Sequence, residues 1–197
     1  MTKRKFSSFK EADAFRELQL EKLLDWNIPF HPLAPSDFFH ENLRRLRRFD
    51  LTISEPAKEL LVDAIVQEAI IPHERLKVWK SAPLASDRLT GVADYLVTFD
   101  RDYLAAPFLC LVEAKRDNFE KGLAQCLVEM KACRWNNEQE GKEIDVFGVV
   151  TNGEGWRFYK YDTAGRVWAS SSYYGLNAVD SVLGILGYIF TQCESNL

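Results

Sequence analysis

Apolar and polar positions alternate with two different periods along this chain, and the switch between them predicts the element order. From Phe9 to Trp26 the apolar residues Phe15, Leu18, Leu23 and Trp26 stand against Glu11, Arg16, Glu17 and Lys22 at helical spacing, which predicts an amphipathic helix. Asn27-Ile-Pro-Phe-His-Pro breaks it, and Ser36 is placed to N-cap a second helix running to Phe49, with Asp37 at its positive end. Ser54 and Pro56 open a third helix with Leu60, Leu61, Ala64 and Ile65 on one face, ending at Pro72.

Beyond Pro72 the period shortens to that of strands. Strands are expected at Leu76 to Trp79, Val92 to Phe99 and Phe108 to Lys115, with a loop over Ser81 to Asp87. A helix follows from Phe119 to Trp135, capped by Asp117 or Asn118, and then a polar loop from Asn136. Ile144 to Thr151 is apolar throughout, as in a strand buried on both faces. Trp156 to Tyr161 and Arg166 to Tyr174 are further strands, and a last helix begins at Asn177 or Asp180. The segment from Lys115 through the long helix to Ile144 reads as a crossover between parallel strands. The sum is an α/β fold: a mixed sheet flanked by helices, with residues 1–54 as an N-terminal helical extension and 55–197 as one compact unit.

Two strands carry charge where it is costly. Asp94 interrupts one apolar run, and Glu113 and Lys115 close the next. Residues two apart on a strand share a face, so Glu113 and Lys115 point one way and Ala114 the other. If the two strands pair as a hairpin, Asp94 comes opposite the Glu113 end. Asp94, Glu113 and the carbonyl of Ala114 then make a partial oxygen shell for Mg²⁺, with Mn²⁺ as a substitute. Lys115 is placed to orient an attacking water or to stabilise charge on phosphorus. The plainer reading of the same residues is an ion pair at a strand end.

This ordered set resembles the PD-(D/E)xK, or restriction-endonuclease-like, nuclease superfamily over roughly residues 55 to 162. The family Asp corresponds to Asp94, although Ala93 stands where a proline is usual, and E-x-K corresponds to Glu113-Ala114-Lys115. The stretch E-A-K-R-D-N-F-E-K-G-L-A-Q-C is most similar to nuclease domains of type I restriction enzymes. The resemblance implies a restriction-endonuclease-like fold and a Mg²⁺-dependent deoxyribonuclease. It also implies a helix glutamate before the first strand, Glu68 or Glu59, and an assisting glutamine, Gln125. Arg116 and Lys121, beside E-x-K, become the expected phosphate contacts, and DNA the expected partner, with a partner subunit or homodimer left open. A catalytically weak or inactive nuclease-like module, acting in DNA binding or regulation, is the alternative.

Composition narrows this picture. The chain has 197 residues, 47% of them hydrophobic, enough for a sizeable core. Its net charge of −4 argues against a generic basic nucleic-acid coat protein but not against a carboxylate metal site. Cys110, Cys126, Cys133 and Cys193 form no C-x-x-C, and His31, His40 and His73 are scattered, so no zinc pattern arises and buried free thiols in a reducing cytoplasm are expected. No ATP-binding G-x-x-x-x-G-K-[ST] loop occurs. The N-terminus is expected to lead into a charged helix rather than an apolar signal core, no apolar run of membrane-crossing length is expected, and the C-terminal S-V-L-G-I-L-G-Y-I-F reads as a core helix. Arg44, Arg45, Arg47 and Arg48 read as a solvated helix face pairing with Glu41 and Asp50, and Trp156, Phe158 and Tyr159 as core aromatics rather than base-stacking platforms.

Overall fold

The computed structural model describes residues 2–51, 53–115 and 119–196. In chain order the elements are β1 (Arg4–Lys5), a 3-10 turn (Phe6–Ser8), α1 (Glu11–Leu18), β2 (Leu24–Trp26), α2 (Asp37–Leu46) and α3 (Glu55–Ile70). β3 (Leu76–Ala85), β4 (Leu89–Phe99), β5 (Phe108–Ala114), α4 (Phe119–Gln139) and β6 (Val146–Thr151) follow. β7 (Gly155–Tyr161), β8 (Val167–Ser170), β9 (Tyr174–Gly175) and α5 (Val179–Ser195) complete the fold.

The described strands form one nine-stranded mixed sheet flanked by helices, as expected for an α/β chain. β4 and β5 pair antiparallel, and β5 and β6 pair parallel across the α4 crossover. One face of the sheet is covered by α3 and α5, whose Ile65, Leu183 and Phe190 pack on Tyr95, Val97 and Val112. The other is covered by α1 and α4, whose Leu18, Leu127 and Met130 pack with Leu96, Leu111 and Val150. Trp156 and Phe158 join the first core and Tyr159 the second, all buried, as the core reading requires.

Capping follows the sequence. Ser36 Oγ accepts from Phe39 N at 3.1 Å, and Ser54 Oγ accepts from Ala57 N at 3.3 Å. Arg44 and Arg45 both bond Glu41 at 2.7 Å, consistent with a solvated face.

Several boundaries differ. The first helix stops at Leu18, because Gln19 turns left-handed (φ 58°) and returns its N–H to Phe15 and Arg16. Leu24–Trp26 is then a strand, paired parallel with β8. Leu23, Leu24 and Trp26 satisfy both periods over so short a stretch, which is why a continuous helix is expected there. With β1 paired to β4, residues 1–54 are woven into the sheet rather than standing outside it as a helical extension. β3 runs on to Ala85 through the expected loop, and α4 continues to Gln139 through the expected polar loop. Asn137 is the reason for the latter: fully buried, it bonds both backbone groups of Phe108, at 2.7 and 2.9 Å. The strand expected over Arg166 to Tyr174 is divided into β8 and β9. The 20-residue stretch Leu176–Ser195 is long and apolar enough by composition to cross a membrane, contrary to expectation. Gly184, Gly187, Tyr188 and Thr191 disguise that length in the sequence. Its Leu183, Leu186, Ile189 and Phe190 are fully buried, as in a core helix.

Candidate functional site: a carboxylate–lysine cluster under α4

The site forms where alternation in the sheet reverses. Ala93 and Leu96 both pack in the α4-side core although three residues apart, while Tyr95 packs toward α3. The partner strand does the same: Trp79 and Ala82 both face α4, and Ser81 between them has φ 52°. Ser81 and Asp94 occupy matching places between the ladder pairs Lys80–Tyr95 and Ala82–Ala93. At this reversal the Asp94 carboxylate turns toward β5, where its Oδ2 accepts from Ala114 N at 2.8 Å. Two-residue alternation alone does not foresee that turn.

Glu113 and Lys115 share the α4 face, as their spacing predicts, and Ala114 is buried in the opposite core. The Lys115 ammonium is in direct contact with Glu113 and lies 4.0 Å from Asp94 Oδ2. Glu113 is 0% exposed. Burial is the main cause that pushes its carboxyl up to about 8, with the Asp94 charge adding and Lys115 opposing.

α4 is held close by two missing side chains. A Cβ on Gly148 of β6 would meet Cys126 Sγ at 2.6 Å, and one on Gly122 would meet Val150 at 2.7 Å and Lys115 Cγ at 3.2 Å. The close approach brings Gln125 over the site, but as a link rather than a direct contact: its Nε2 donates to Glu129 Oε1 at 2.9 Å. Glu129 was no candidate from sequence, yet it is 0% exposed and its burial, then its proximity to Glu113, raise its carboxyl well above the ordinary range. Its signal in the sequence is spacing: it stands one helical turn after Gln125, on the same face.

The chain matches no family model and no curated protein.

The remaining candidates divide. Glu68 is not brought to the cluster: its two oxygens accept from Ser36 N at 2.6 Å and Ser36 Oγ at 2.9 Å, fastening α2 to α3. Glu59, the alternative, and Asp63 instead meet Lys80 at 3.1 and 2.7 Å, and Asp63 accepts from the hydroxyl of Tyr95, next to Asp94, at 2.8 Å. Glu68 lies about 13 Å further along the helix than Glu59 at 1.5 Å per residue. Lys121 is exposed at the start of α4 and lines a cavity with Ser7 and Lys10. Arg116, and the expected caps Asp117 and Asn118, lie outside the described residues.

For a divalent cation, the relevant observation is that Glu113 Oε2 and Glu129 Oε2 are buried without a hydrogen-bond partner, while Glu113 Oε1 meets the Lys115 ammonium. Such orphaned carboxylate oxygens beside Asp94 fit a hard cation that keeps several waters. Among the described residues no group of three or more His, Cys, Asp and Glu side chains forms a closed ligand cage. Asp94 and Glu113 would therefore hold the ion with water completing its shell. All four cysteines are buried free thiols and none reaches the cluster as a disulfide.

Proposed function

We propose that the chain is a Mg²⁺-dependent nuclease that hydrolyses DNA phosphodiester bonds. What carries this reading is the convergence of Asp94, Glu113 and Lys115 from neighbouring strands, with the Lys115 ammonium between the two carboxylates. Asp94 and Glu113 would hold the cation, which when bound would supply Lewis-acid activation of water and phosphate. Lys115, in contact with Glu113 and near Asp94, would position the attacking water or meet the charge that develops on phosphorus. Ala114 contributes backbone to the same corner, its N–H fixing Asp94. Gln125 acts through Glu129 as a positioning residue. In this reading Glu68 has a structural part only.

The test is cleavage of duplex, single-stranded and branched DNA by the purified chain with Mg²⁺ or Mn²⁺, beside calorimetric metal titration of wild type and of Asp94→Ala/Glu113→Ala. Metal binding that disappears in the double variant, together with cutting by wild type, supports the reading. A folded protein that neither binds metal nor cuts any of these substrates overturns it.

A second reading, a nuclease-like module for DNA binding or regulation with a partner, draws on the full burial of Glu113 beneath α4 and on the net charge of −4. Cleavage that appears only when a second chain is added would favour it.

A further inference from the structure

β1 and β5 lie on the same edge of β4. β3 pairs with β4 along the opposite edge, at Thr90 as well as at Thr98, so the partners Lys5 of Thr90 and Phe108 of Thr98 must share the other. β1 runs parallel to β4 and β5 antiparallel, so the two strands point at each other and stop on either side of Gly91–Asp94. Asp94 sits at the β5 side of this break, and its carboxylate spans to Ala114.

A cavity of about 450 Å³ opens at the β1 side of the break, lined by Lys5, Ser7, Thr90 and Gln125 around the contact of Phe6 with Gly91. That contact is obligatory in shape: a Cβ on Gly91 would come within 2.4 Å of the Phe6 ring. The lining offers one ammonium, two hydroxyls and one carboxamide, and no carboxylate. These are donors suited to a phosphate diester oxygen, with a lysine as point charge. The adjacent cation, Arg4, is committed elsewhere, to Asp13 at 3.0 Å and to the ring of Phe9, which leaves Lys5 as the charge presented here. Ser7 also lines a second cavity of about 600 Å³, in which Lys10 and Lys121 stand with Glu11 and Glu120. The charges balance there, whereas the first cavity presents Lys5 with no carboxylate in its lining.

We infer that this break in the edge of β4 seats a backbone phosphate of the nucleic-acid strand beside the one cleaved, with Lys5 of the N-terminal strand as its counter-charge and Ser7 and Thr90 as hydroxyl donors. The inference rests on the nuclease reading and adds to it a part for residues 5–7, which precede everything the motifs cover. Gln125 belongs to both places, lining the cavity and bonding Glu129.

The experiment is fluorescence anisotropy of labelled single-stranded and duplex DNA, with Ca²⁺ in place of Mg²⁺, over a range of salt. Wild type, Lys5→Ala, Lys5→Glu and Lys3→Glu are compared, Lys3 being exposed but no part of the cavity lining. Lys5→Ala is expected to lower the salt slope by about 1, the effect of one lost phosphate contact. Lys5→Glu is expected to weaken binding at least tenfold, Lys3→Glu less than threefold, and metal affinity by calorimetry is expected to stay unchanged in all. Wild-type binding that is indifferent to both Lys5 changes overturns the inference and leaves the nuclease reading standing. Equal losses in Lys3→Glu and Lys5→Glu overturn it too, since they would mean a diffuse basic arm. A wild type that binds neither DNA form removes both.

Discussion

The Lys115 ammonium rests against Glu113, two residues earlier on the same strand, while Asp94 Oδ2 waits 4.0 Å away on the neighbouring strand. One cation is thus shared between two carboxylates of unequal burial, Glu113 at 0% side-chain exposure and Asp94 at 28%. In the nuclease reading, a bound divalent ion would neutralise both carboxylates in place of the lysine.

Lys115→Ala is expected to abolish most DNA cleavage, by about 10²–10⁴-fold if the amine positions or activates water. Metal affinity should stay within a few-fold of wild type, because the carboxylates remain. Single-turnover cleavage and calorimetry on the same preparation check the two halves. A variant that still cuts at the wild-type rate removes Lys115 from the chemistry.

The buried carboxyl of Glu113 makes stability depend on pH. Its folded pKa is raised to about 8 from an ordinary 4.5, chiefly by burial, so the fold favours the protonated form. That contribution is fully present below about pH 4.5, declines as the unfolded state ionises, and is lost as pH passes through 8. Glu129 is shifted in the same direction for the same reason. The metal-free protein should therefore lose thermal stability from pH 5 to pH 8.5, and Glu113→Gln should flatten that part of the profile. Thermal melts with and without EDTA measure it, and a wild-type profile no steeper than that of Glu113→Gln would contradict the assignment.

Asn137→Ala is expected to destabilise the fold by about 2–4 kcal/mol. The substitution leaves the buried N–H and C=O of Phe108 without partners, each costing on the order of 1–3 kcal/mol. Urea unfolding at constant pH tests this, and a loss under about 1 kcal/mol would contradict it.

Gly122→Ala is expected to push α4 away from β6 and from the stem of Lys115, costing about 1–3 kcal/mol. If α4 positions the cluster, the same change weakens metal binding although it alters no ligand. Calorimetry against the Asn137→Ala variant, which destabilises from the far end of α4, separates displacement of the site from a general loss of stability.

Much of this arrangement is legible in residue order. Short apolar runs between turn residues mark β4, β5, β6 and β7, the helical spacing and Ser caps mark α2 and α3, and the apolar strand before Glu113 places E-x-K at a strand end. The shared face of Glu113 and Lys115 follows from alternation alone, because it concerns two residues on one strand. Other features depend on contacts between segments distant in sequence, which no local period encodes. Asp94 is turned toward β5 by a reversal that β3 and β4 make together, through Ser81. Glu129 joins Glu113 because Gly122 and Gly148 let α4 lie close. Glu68 is claimed by Ser36, thirty-two residues earlier. β1 and β2 are too short to show a period of their own and exist only because the edges of β4 and β8 were there to pair with. Residue order marks the long central strands and the charges they carry; tertiary packing decided the short edge strands and which of those charges meet, because burial and cross-strand register are properties of the assembled sheet.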